Sequence, residues 1–317
     1  MKSLAARLLI NLLTVIAVML LLEVACRVAL HYMYNRRFDA ALIVDNKYGN
    51  TAGLKENAEG IVWGKKFTTD EFGCRKNKLA ADKKKKKWLF IGDSVTEGVG
   101  VGDEETFASL CSEELKEYSL LNCSLIGYAT PDYYNLLQSY LSAPDSSVEL
   151  VTVFFCLNDV YGAAKTDNLP VMAKQDDAHR IATWLQQHYA TYKLVKLFIY
   201  RNADNYFQYD VAFYKPDNER FKESMAYLQH CDSLCKSKGA YFNVVMLPYR
   251  SQLAGNNVAN RTPQKMVGDF CDENGIEFSD ATDLLAKEPS PQSLYLFADE
   301  IHFSAAGHKA LAKYLLE

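Results

Sequence analysis

Hydrophobic positions in this chain form two patterns: one long apolar run near the start, and later an alternation of short apolar runs with helical segments. The first run extends from Leu8 to Leu30 and is interrupted in its second half by Glu23 and Arg27. Its 23 residues are enough for a helix to cross a hydrocarbon core of about 30 Å, at about 1.5 Å per residue. The pattern therefore predicts an N-terminal transmembrane helix over residues 1–30.

Other interpretations of this run stay open. Lys2 and Arg7 precede it, as basic residues precede the apolar part of a cleavable signal peptide, although no clean Ala-x-Ala cleavage site follows. Basic residues stand on both sides of the run, so the positive-inside rule does not give its orientation. Glu23 and Arg27 are four residues apart, so they can form an ion pair on one helical face.

The pattern changes after the apolar run. Residues 31–87 are rich in turn-forming residues and predict a lead-in segment that is irregular or contains β-structure. From residue 88 onward, strand-length apolar runs alternate with helical patterns. The predicted strands are Trp88–Gly92, Leu120–Leu125, Glu149–Leu157, Tyr241–Leu247 and Ile276–Ser279. The predicted helices lie near residues 104–118, 131–142, 218–238, 263–273 and 305–316.

This alternation is typical of a parallel sheet covered by helices. We therefore predict an α/β domain over residues 88–317, built as a three-layer α/β/α sandwich with a mostly parallel five-stranded sheet. An aromatic-rich stretch at residues 160–215 interrupts the rhythm. We expect it to be an insertion whose aromatic side chains mostly belong to the core, and which is also well placed to form a lid or substrate wall.

Composition limits the function without naming it. The chain has 317 residues and a net charge of −4 with a pI near 5.9, which does not support a nucleic-acid partner. Its eight cysteines form neither a paired zinc-ribbon motif nor a small disulfide framework. Cys123 and Cys156 lie inside apolar runs, where free cysteine behaves as a small hydrophobic residue. We therefore expect most of the cysteines to be buried thiols.

Candidate catalytic residues follow the predicted strands. Ser94 comes directly after the first strand, whose carboxyl end should face the ligand crevice of an open sheet. Asp299 precedes His302 by three residues, so its carboxylate can reach Nδ1 and orient the imidazole for proton transfer. A metal site made of Asp299, His302 and His308 is an alternative, but His308 falls inside the last predicted helix. We therefore predict no metal and no cofactor.

Two further positions can stabilise a developing oxyanion. Gly127 follows the second predicted strand, and its lack of a side chain lets a backbone N–H approach a substrate oxygen. Asn158 ends the third strand and can donate from its amide. Cys156 stands two residues earlier and is a weaker candidate nucleophile than Ser94.

These blocks together resemble the SGNH (GDSL) hydrolase family, through Gly92-Asp93-Ser94, Gly127, Asn158 and the pair Asp299 and His302. The resemblance covers residues 88–317 and implies an SGNH/flavodoxin-like fold. The glycine that normally starts the third block is Cys156 here. The segment from Thr68 to Arg75 is also similar to the lead-in of membrane-anchored bacterial members.

The resemblance implies roles for these residues. Ser94 would be the nucleophile, His302 the general base and then acid, and Asp299 its orienting partner. The backbone N–H groups of Ser94 and Gly127 and the side chain of Asn158 would form the oxyanion hole.

The function implied is an esterase, anchored in a membrane by one N-terminal helix, with its catalytic domain outside the cytoplasm. Its substrate would be an acyl (acetyl) ester of a glycan or of a lipid-like molecule. Two alternatives remain. One is an O-acyltransferase that moves the acyl group to a glycan, and the other is a catalytically silent scaffold for a membrane acyltransferase partner.

Overall fold

The structure is a computed structural model that describes residues 2–33, 38–143, 146–160, 181, 184–185, 188–199, 203–255, 257–297 and 299–317. Its strands are β1 (Ile43–Tyr48), β2 (Thr51–Leu54), β3 (Glu59–Val62), β4 (Lys65–Thr68), β5 (Lys86–Gly92), β6 (Tyr118–Asn122), β7 (Val148–Phe155), β8 (Tyr241–Met246) and β9 (Glu277–Asp280). Its α-helices are α1 (Lys2–Met33), α2 (Ser94–Glu97), α3 (Phe107–Glu114), α4 (Thr130–Ser142), α5 (Ala190–Ile199), α6 (Ala203–Val211), α7 (Glu219–Ser237), α8 (Arg250–Leu253), α9 (Thr262–Glu273), α10 (Thr282–Leu285) and α11 (Ala305–Leu316).

Strands β5 to β9 form one sheet in which each neighbouring pair is parallel. The strand order is β6-β5-β7-β8-β9, so the chain first moves to one edge and then returns past β5 to build the other half. In sheets of this kind the ligand crevice lies where the order reverses, at the carboxyl ends of β5 and β7. Crossovers between parallel strands are right-handed as a rule, so connections that run in opposite directions along the sheet place their helices on opposite faces. The predicted three-layer α/β/α sandwich with a parallel five-stranded sheet is confirmed.

The distribution of apolar residues explains this arrangement. In β7 the side chains from Val151 to Phe155 are buried, as expected for a central strand that helices cover on both faces. Helix α4 packs against α7, and α3 packs against α11. Each face of the sheet is thus covered by one pair of helices. Each of the five predicted strands of the domain is present, and no strand end shifts by more than three residues.

One helix is shorter than the sequence pattern predicts. A helix near residues 104–118 is expected, but α3 covers only Phe107–Glu114. Residues Asp103–Glu105 form a 3-10 turn before it, and the Thr106 hydroxyl accepts the N–H of Ser109 at 3.1 Å and caps α3. Thr68 and Arg75 of the lead-in segment donate hydrogen bonds to the carboxylate of Asp103. Residue 103 is therefore held outside the helix, and α3 begins at Phe107.

The lead-in segment contains two antiparallel hairpins, β1–β2 and β3–β4. Leu42, Leu54, Val62 and Phe67 from this segment are buried in the same hydrophobic cluster as the central sheet. The segment therefore shares its core with the α/β domain.

A disulfide bond joins Cys74 of the lead-in segment to Cys123, the residue after β6. The expectation of a free thiol at Cys123 is therefore wrong. The two cysteines meet because the N–H of Arg75 donates to the carbonyl of Asn122 at 2.8 Å, which aligns the two chain segments. The free cysteines of the described residues are all buried, as expected for the majority.

Helices α1 and α5 lie in a separate compact unit. Residues Leu4–His31 form a helix long and apolar enough to cross a membrane, a property that signal sequences share. The carboxylate of Glu23 accepts the N–H groups of Ala190 at 2.8 Å and of Thr191 at 2.9 Å, so it caps the first turn of α5. Glu23 also pairs with Arg27 at 2.9 Å, as their spacing predicts.

Much of the stretch predicted as an insertion, including residues 161–180 and 200–202, lies outside the described residues. Among its described aromatic side chains, Phe207 and Tyr214 are buried, whereas Trp184 and Tyr206 are exposed.

Candidate active site

The turn after β5 places Ser94 at the carboxyl end of a central strand. Ser94 is the first residue of α2, and the carboxylate of Asp93 accepts the N–H of Val95 at 2.8 Å, which caps this short helix. A side chain at Gly92 would collide with Thr96, so the sharp transition from strand to helix requires glycine there. The local sequence thus fixes the direction of the Ser94 hydroxyl.

Three side chains form a continuous hydrogen-bonded chain at this edge of the sheet. Ser94 Oγ lies 2.9 Å from His302 Nε2. His302 Nδ1 lies 3.0 Å from Asp299 Oδ1 and 3.1 Å from Oδ2. Ser94 and Asp299 are 6% and 5% exposed. The structure therefore brings together the three residues predicted from sequence, in the order serine, histidine, carboxylate that proton transfer requires.

Asp299 is held in its ionised form. Burial raises the pKa of its carboxyl group, but the His302 side chain and the N–H groups of Ile301 and His302 outweigh burial and hold the pKa well below its usual range. Both of those backbone groups donate at 2.9 Å. The carboxylate is therefore ready to accept from Nδ1–H, which leaves Nε2 as the acceptor that faces Ser94.

Asn158 meets the nucleophile turn through Asp93. The side-chain Nδ2 of Asn158 donates to Asp93 Oδ2 at 3.1 Å, and Ser94 Oγ lies 3.4 Å from the same oxygen. Asn158 stands on a 3-10 turn, Leu157–Val160, directly after β7. Burial raises the pKa of Asp93, while the N–H of Val95, the charge of His302 and the Asn158 side chain oppose the rise. Asp93 thus orients the amide of Asn158 beside Ser94.

Gly127 lies in a loop that is tied to helix α2. The carboxylate of Glu97 accepts the N–H of Ile126 at 2.8 Å. Gly127 itself has φ +83°, a conformation that favours glycine, and no atom within 4 Å would meet a side chain there. Burial raises the pKa of Glu97 to about 8, against the opposing charge of Arg75. Glu97 therefore fixes the loop that precedes the predicted oxyanion donor.

Arg75 of the lead-in segment supports the far end of the same turn. Its guanidinium is fully buried and donates to the carbonyl oxygens of Glu97 and Gly98, each at 2.6 Å, and of Val101 at 2.7 Å. It also pairs with Asp103 at 3.0 Å. These four bonds hold the segment after Ser94 in one conformation, because breaking them would leave the buried guanidinium without acceptors.

Trp63, also from the lead-in segment, lies against the catalytic candidates. Its ring contacts the imidazole of His302 edge-on, with ring centroids 4.7 Å apart and planes at 65°. Trp63 has φ +48°, a left-handed conformation that costs a residue with a bulky side chain about 1–2 kcal/mol.

Two other candidates do not join this site. Cys156 is buried, and burial raises the pKa of its thiol well above the usual value, so it is a poor nucleophile. His308 lies inside α11, where its Nδ1 accepts the N–H of Phe107 at 3.3 Å. Burial lowers the pKa of His308 to about 3. Among the residues that the structure describes, no group of three His, Cys, Asp or Glu side chains could hold a metal ion.

Sequence reasoning missed several residues that shape this site, namely Trp63, Arg75, Asp93 in its contact with Asn158, and Glu97. A signal existed for Glu97, which is an acidic residue three positions after Ser94 in an otherwise small and apolar stretch. Arg75 ends the segment Thr68 to Arg75 that is similar to the family's lead-in, and this similarity gives Arg75 no role. For Trp63, the dipeptide Trp63-Gly64 between two strand-length runs indicates a hairpin tip, but not what the tip contacts.

A family model described as the GDSL-like lipase/acylhydrolase family matches residues 90–310 of this chain. No curated protein shows a significant sequence match. The lead-in segment with Trp63 and Arg75 lies outside the range of the family model.

Solved structures of similar fold share little sequence with this chain. A member of the lipolytic protein G-D-S-L family from Veillonella parvula is 14% identical, with 73% of this chain and 96% of that chain covered and a TM-score of 0.43. A catalytic mutant of an acetylxylan esterase from Geobacillus stearothermophilus is 18% identical, covering 73% and 92%, with a TM-score of 0.44. The structure of TesA is 16% identical, covering 73% and 96%, with a TM-score of 0.44.

Proposed function

Because this chain belongs to the GDSL-like lipase/acylhydrolase family, we propose that it hydrolyses an O-acyl ester of an extracytoplasmic glycan through an acyl-Ser94 intermediate. The observation that carries this proposal is the hydrogen-bonded chain from Ser94 Oγ through His302 to Asp299. Its geometry is that of a serine nucleophile with a general base and an orienting carboxylate.

In the first half of the reaction, Ser94 Oγ attacks the ester carbonyl carbon while His302 Nε2 takes the hydroxyl proton. The carbonyl oxygen becomes an oxyanion and the imidazole becomes an imidazolium, which Asp299 stabilises from the other side of the ring. The tetrahedral intermediate then collapses. Its bond to the alcohol oxygen breaks, His302 gives the proton to that oxygen, and the acyl group stays on Ser94.

In the second half, water takes the place of the alcohol. His302 Nε2 removes a proton from the water, the oxygen attacks the acyl carbon, and a second oxyanion forms. When the bond to Ser94 Oγ breaks, His302 returns the proton to the serine. The products are a free carboxylic acid and the original enzyme, so the charges and protons balance over the cycle.

Asn158 is suited to stabilise both oxyanions. Its amide carries two hydrogens, and Asp93 takes one of them. The other is left for the substrate, and the N–H groups of Ser94 and Gly127 are the further donors that we assign. Such a donor contributes mainly in the transition state, because the negative charge it meets exists only there.

One feature supports attachment to a membrane, and a second supports a catalytic domain outside the cytoplasm. The helix Leu4–His31 is long and apolar enough to anchor the chain in a membrane. The disulfide bond Cys74–Cys123 is of a kind that persists in oxidising compartments and is rare in the cytoplasm. If the helix is a membrane anchor, washing membranes with high salt should leave the full-length protein bound. Release by salt alone would contradict the anchor.

The choice of acceptor decides between hydrolysis and transfer. The purified protein should be incubated with an acetyl ester donor, with and without oligosaccharide acceptors, and both acetate and acetylated sugar should be measured. We expect acetate in both cases. Acetylated oligosaccharide as the main product would instead indicate an O-acyltransferase, and absence of both products would favour a silent scaffold for a membrane acyltransferase partner.

A further inference from the structure

The tip of hairpin β3–β4 has an unusual residue in a demanding turn. Val62 pairs with Lys65 across the hairpin, so only Trp63 and Gly64 form the loop. Both have positive φ, +48° and +75°, as in a type I′ turn. Turns of this kind favour asparagine or glycine at the first central position, because few other side chains tolerate that conformation.

The rest of the described chain follows that preference. Among the described residues, the other non-glycine positions with positive φ are Asn46 and Asn57. Trp63 is the exception, with the largest side chain of any residue type. The hairpin alone gives no reason for tryptophan at this position. Unfavourable backbone conformations of this kind are concentrated at functional sites, where the surrounding structure maintains them.

The indole is directed to one half of the active site. Its ring meets His302 at a centroid distance of 4.7 Å, and His302 Nε2 faces Ser94 Oγ at 2.9 Å. In the proposed mechanism this nitrogen gives its proton to the departing alcohol oxygen, so the alcohol must lie next to His302. The carbonyl oxygen of the acyl group would instead accept a hydrogen bond from Asn158, whose amide also donates to Asp93. Trp63 therefore stands beside the alcohol half of the ester.

We propose that Trp63 is the specificity-determining residue for the alcohol half of the substrate, and that it binds the sugar ring of an acylated glycan. This inference rests on the proposed function. A pyranose ring has faces made of C–H groups, and an indole offers a wide apolar face beside a polar N–H. By the symmetry of the two half-reactions, the same subsite would hold a sugar hydroxyl that attacks the acyl enzyme.

The proposal is tested with two esters that share an acetyl group and differ in the alcohol, ethyl acetate and the 6-O-acetate of methyl glucopyranoside. The measured quantity is the ratio of their kcat/KM values, sugar ester over ethyl ester. We expect the wild-type enzyme to favour the sugar ester. Trp63→Asn should lower that ratio about tenfold, which corresponds to about 1.4 kcal/mol of differential binding. The loss should lie mainly in KM for the sugar ester.

The variants separate binding from folding. Trp63→Asn creates an Asn-Gly turn, so its melting temperature should equal or exceed that of the wild type. Trp63→Phe keeps an aromatic face and should retain most of the ratio. Ile61→Thr is the matched control, since Ile61 is an exposed residue of the same hairpin, 49% accessible, and its replacement should leave the ratio unchanged.

Three results would overturn the proposal: no preference for the sugar ester in the wild type, an unchanged ratio in Trp63→Asn, or an equal fall for both esters. The last would mean that Trp63 only positions His302. Failure of the proposed function is distinguishable, because ethyl acetate hydrolysis would then be absent from the wild type or would persist in Ser94→Ala. If that hydrolysis depends on Ser94 while the ratio does not depend on Trp63, only the inference on Trp63 fails.

Discussion

The lead-in segment and the α/β domain contribute to one site in different ways. The α/β domain carries the hydrogen-bonded side chains to which we assign the chemistry, Ser94, His302 and Asp299. The lead-in segment carries Trp63, which contacts the ring of His302, and Arg75, which binds the carbonyls that follow the nucleophile. The proposed reacting groups thus belong to the α/β domain, and much of their support comes from a segment outside the family model.

This difference explains what a motif can reveal. Reacting groups must be of one residue type, because the chemistry of serine, histidine and aspartate is specific. Supporting groups are set by the shape of the space between two chain segments. A substitution in the domain should therefore lower the rate, whereas one in the lead-in segment should lower stability or alter selectivity.

The largest effect is expected for Ser94→Ala. Without the nucleophile no acyl enzyme forms, and turnover should fall by about 10⁶-fold. A fluorophosphonate probe should label the wild-type protein and not the variant. Equal labelling of both would remove Ser94 from the mechanism and place the reacting group elsewhere.

The second largest effect is expected for Asp299→Asn, which should lower turnover by about 10⁴-fold. The amide presents its NH₂ or its oxygen to His302 Nδ1 without a charge, so the tautomer with a free Nε2 is no longer favoured. Circular dichroism should show that the fold is intact. Turnover within a few-fold of the wild type would mean that Asp299 serves only the loop around His302.

Asn158→Ala should lower kcat by about 10²–10³-fold, because it removes one oxyanion donor. KM should change little, since the donor meets its negative charge only in the transition state. A comparable rise in KM with an unchanged kcat would contradict the assignment and would indicate ground-state binding instead.

Loss of the disulfide bond that ties the lead-in segment to the α/β domain should lower the stability of the protein. Replacing both Cys74 and Cys123 by serine should lower the free energy of unfolding by about 2–4 kcal/mol, measured by denaturant titration. Treatment of the wild type with a reducing agent should produce the same loss. If the reducing agent has no effect on the titration, the two cysteines are not bonded in the folded protein.

The smallest expected effect is a pH-dependent change in melting temperature when Glu97 is replaced. Since burial raises the pKa of Glu97 to about 8 from its usual 4.5, between these two pH values its carboxyl keeps a proton in the folded protein that it loses on unfolding. Its contribution to stability is complete below about pH 4.5 and disappears as the pH rises through about 8. We therefore compare the melting temperatures of Glu97→Gln and the wild type at two pH values. The difference, variant minus wild type, should be a few degrees larger at pH 8 than at pH 5. A difference that is the same at both pH values would contradict the raised pKa.

The sheet and the three candidate catalytic residues could be predicted from the sequence, because both depend on local patterns. Apolar runs of strand length recur between helical patterns, and Ser94 and His302 stand in short motifs with characteristic neighbours. Other features depend on contacts between segments that are distant in the sequence. These are the disulfide partner of Cys123, the hydrogen-bond acceptors of Arg75 and the contact of Trp63 with the His302 ring. No spacing along one chain specifies such contacts, because they arise only when the lead-in segment packs on the sheet.

The contact between Glu23 and helix α5 bears on the fate of the N-terminal helix. A signal peptide is removed after export, and nothing in the mature protein depends on it. Here the carboxylate of Glu23 accepts the N–H groups of Ala190 and Thr191, more than 160 residues further along the chain. Proteolysis at the end of α1 would separate these hydrogen-bonding partners and leave the first turn of α5 without its cap. A chain that retains α1 retains that cap.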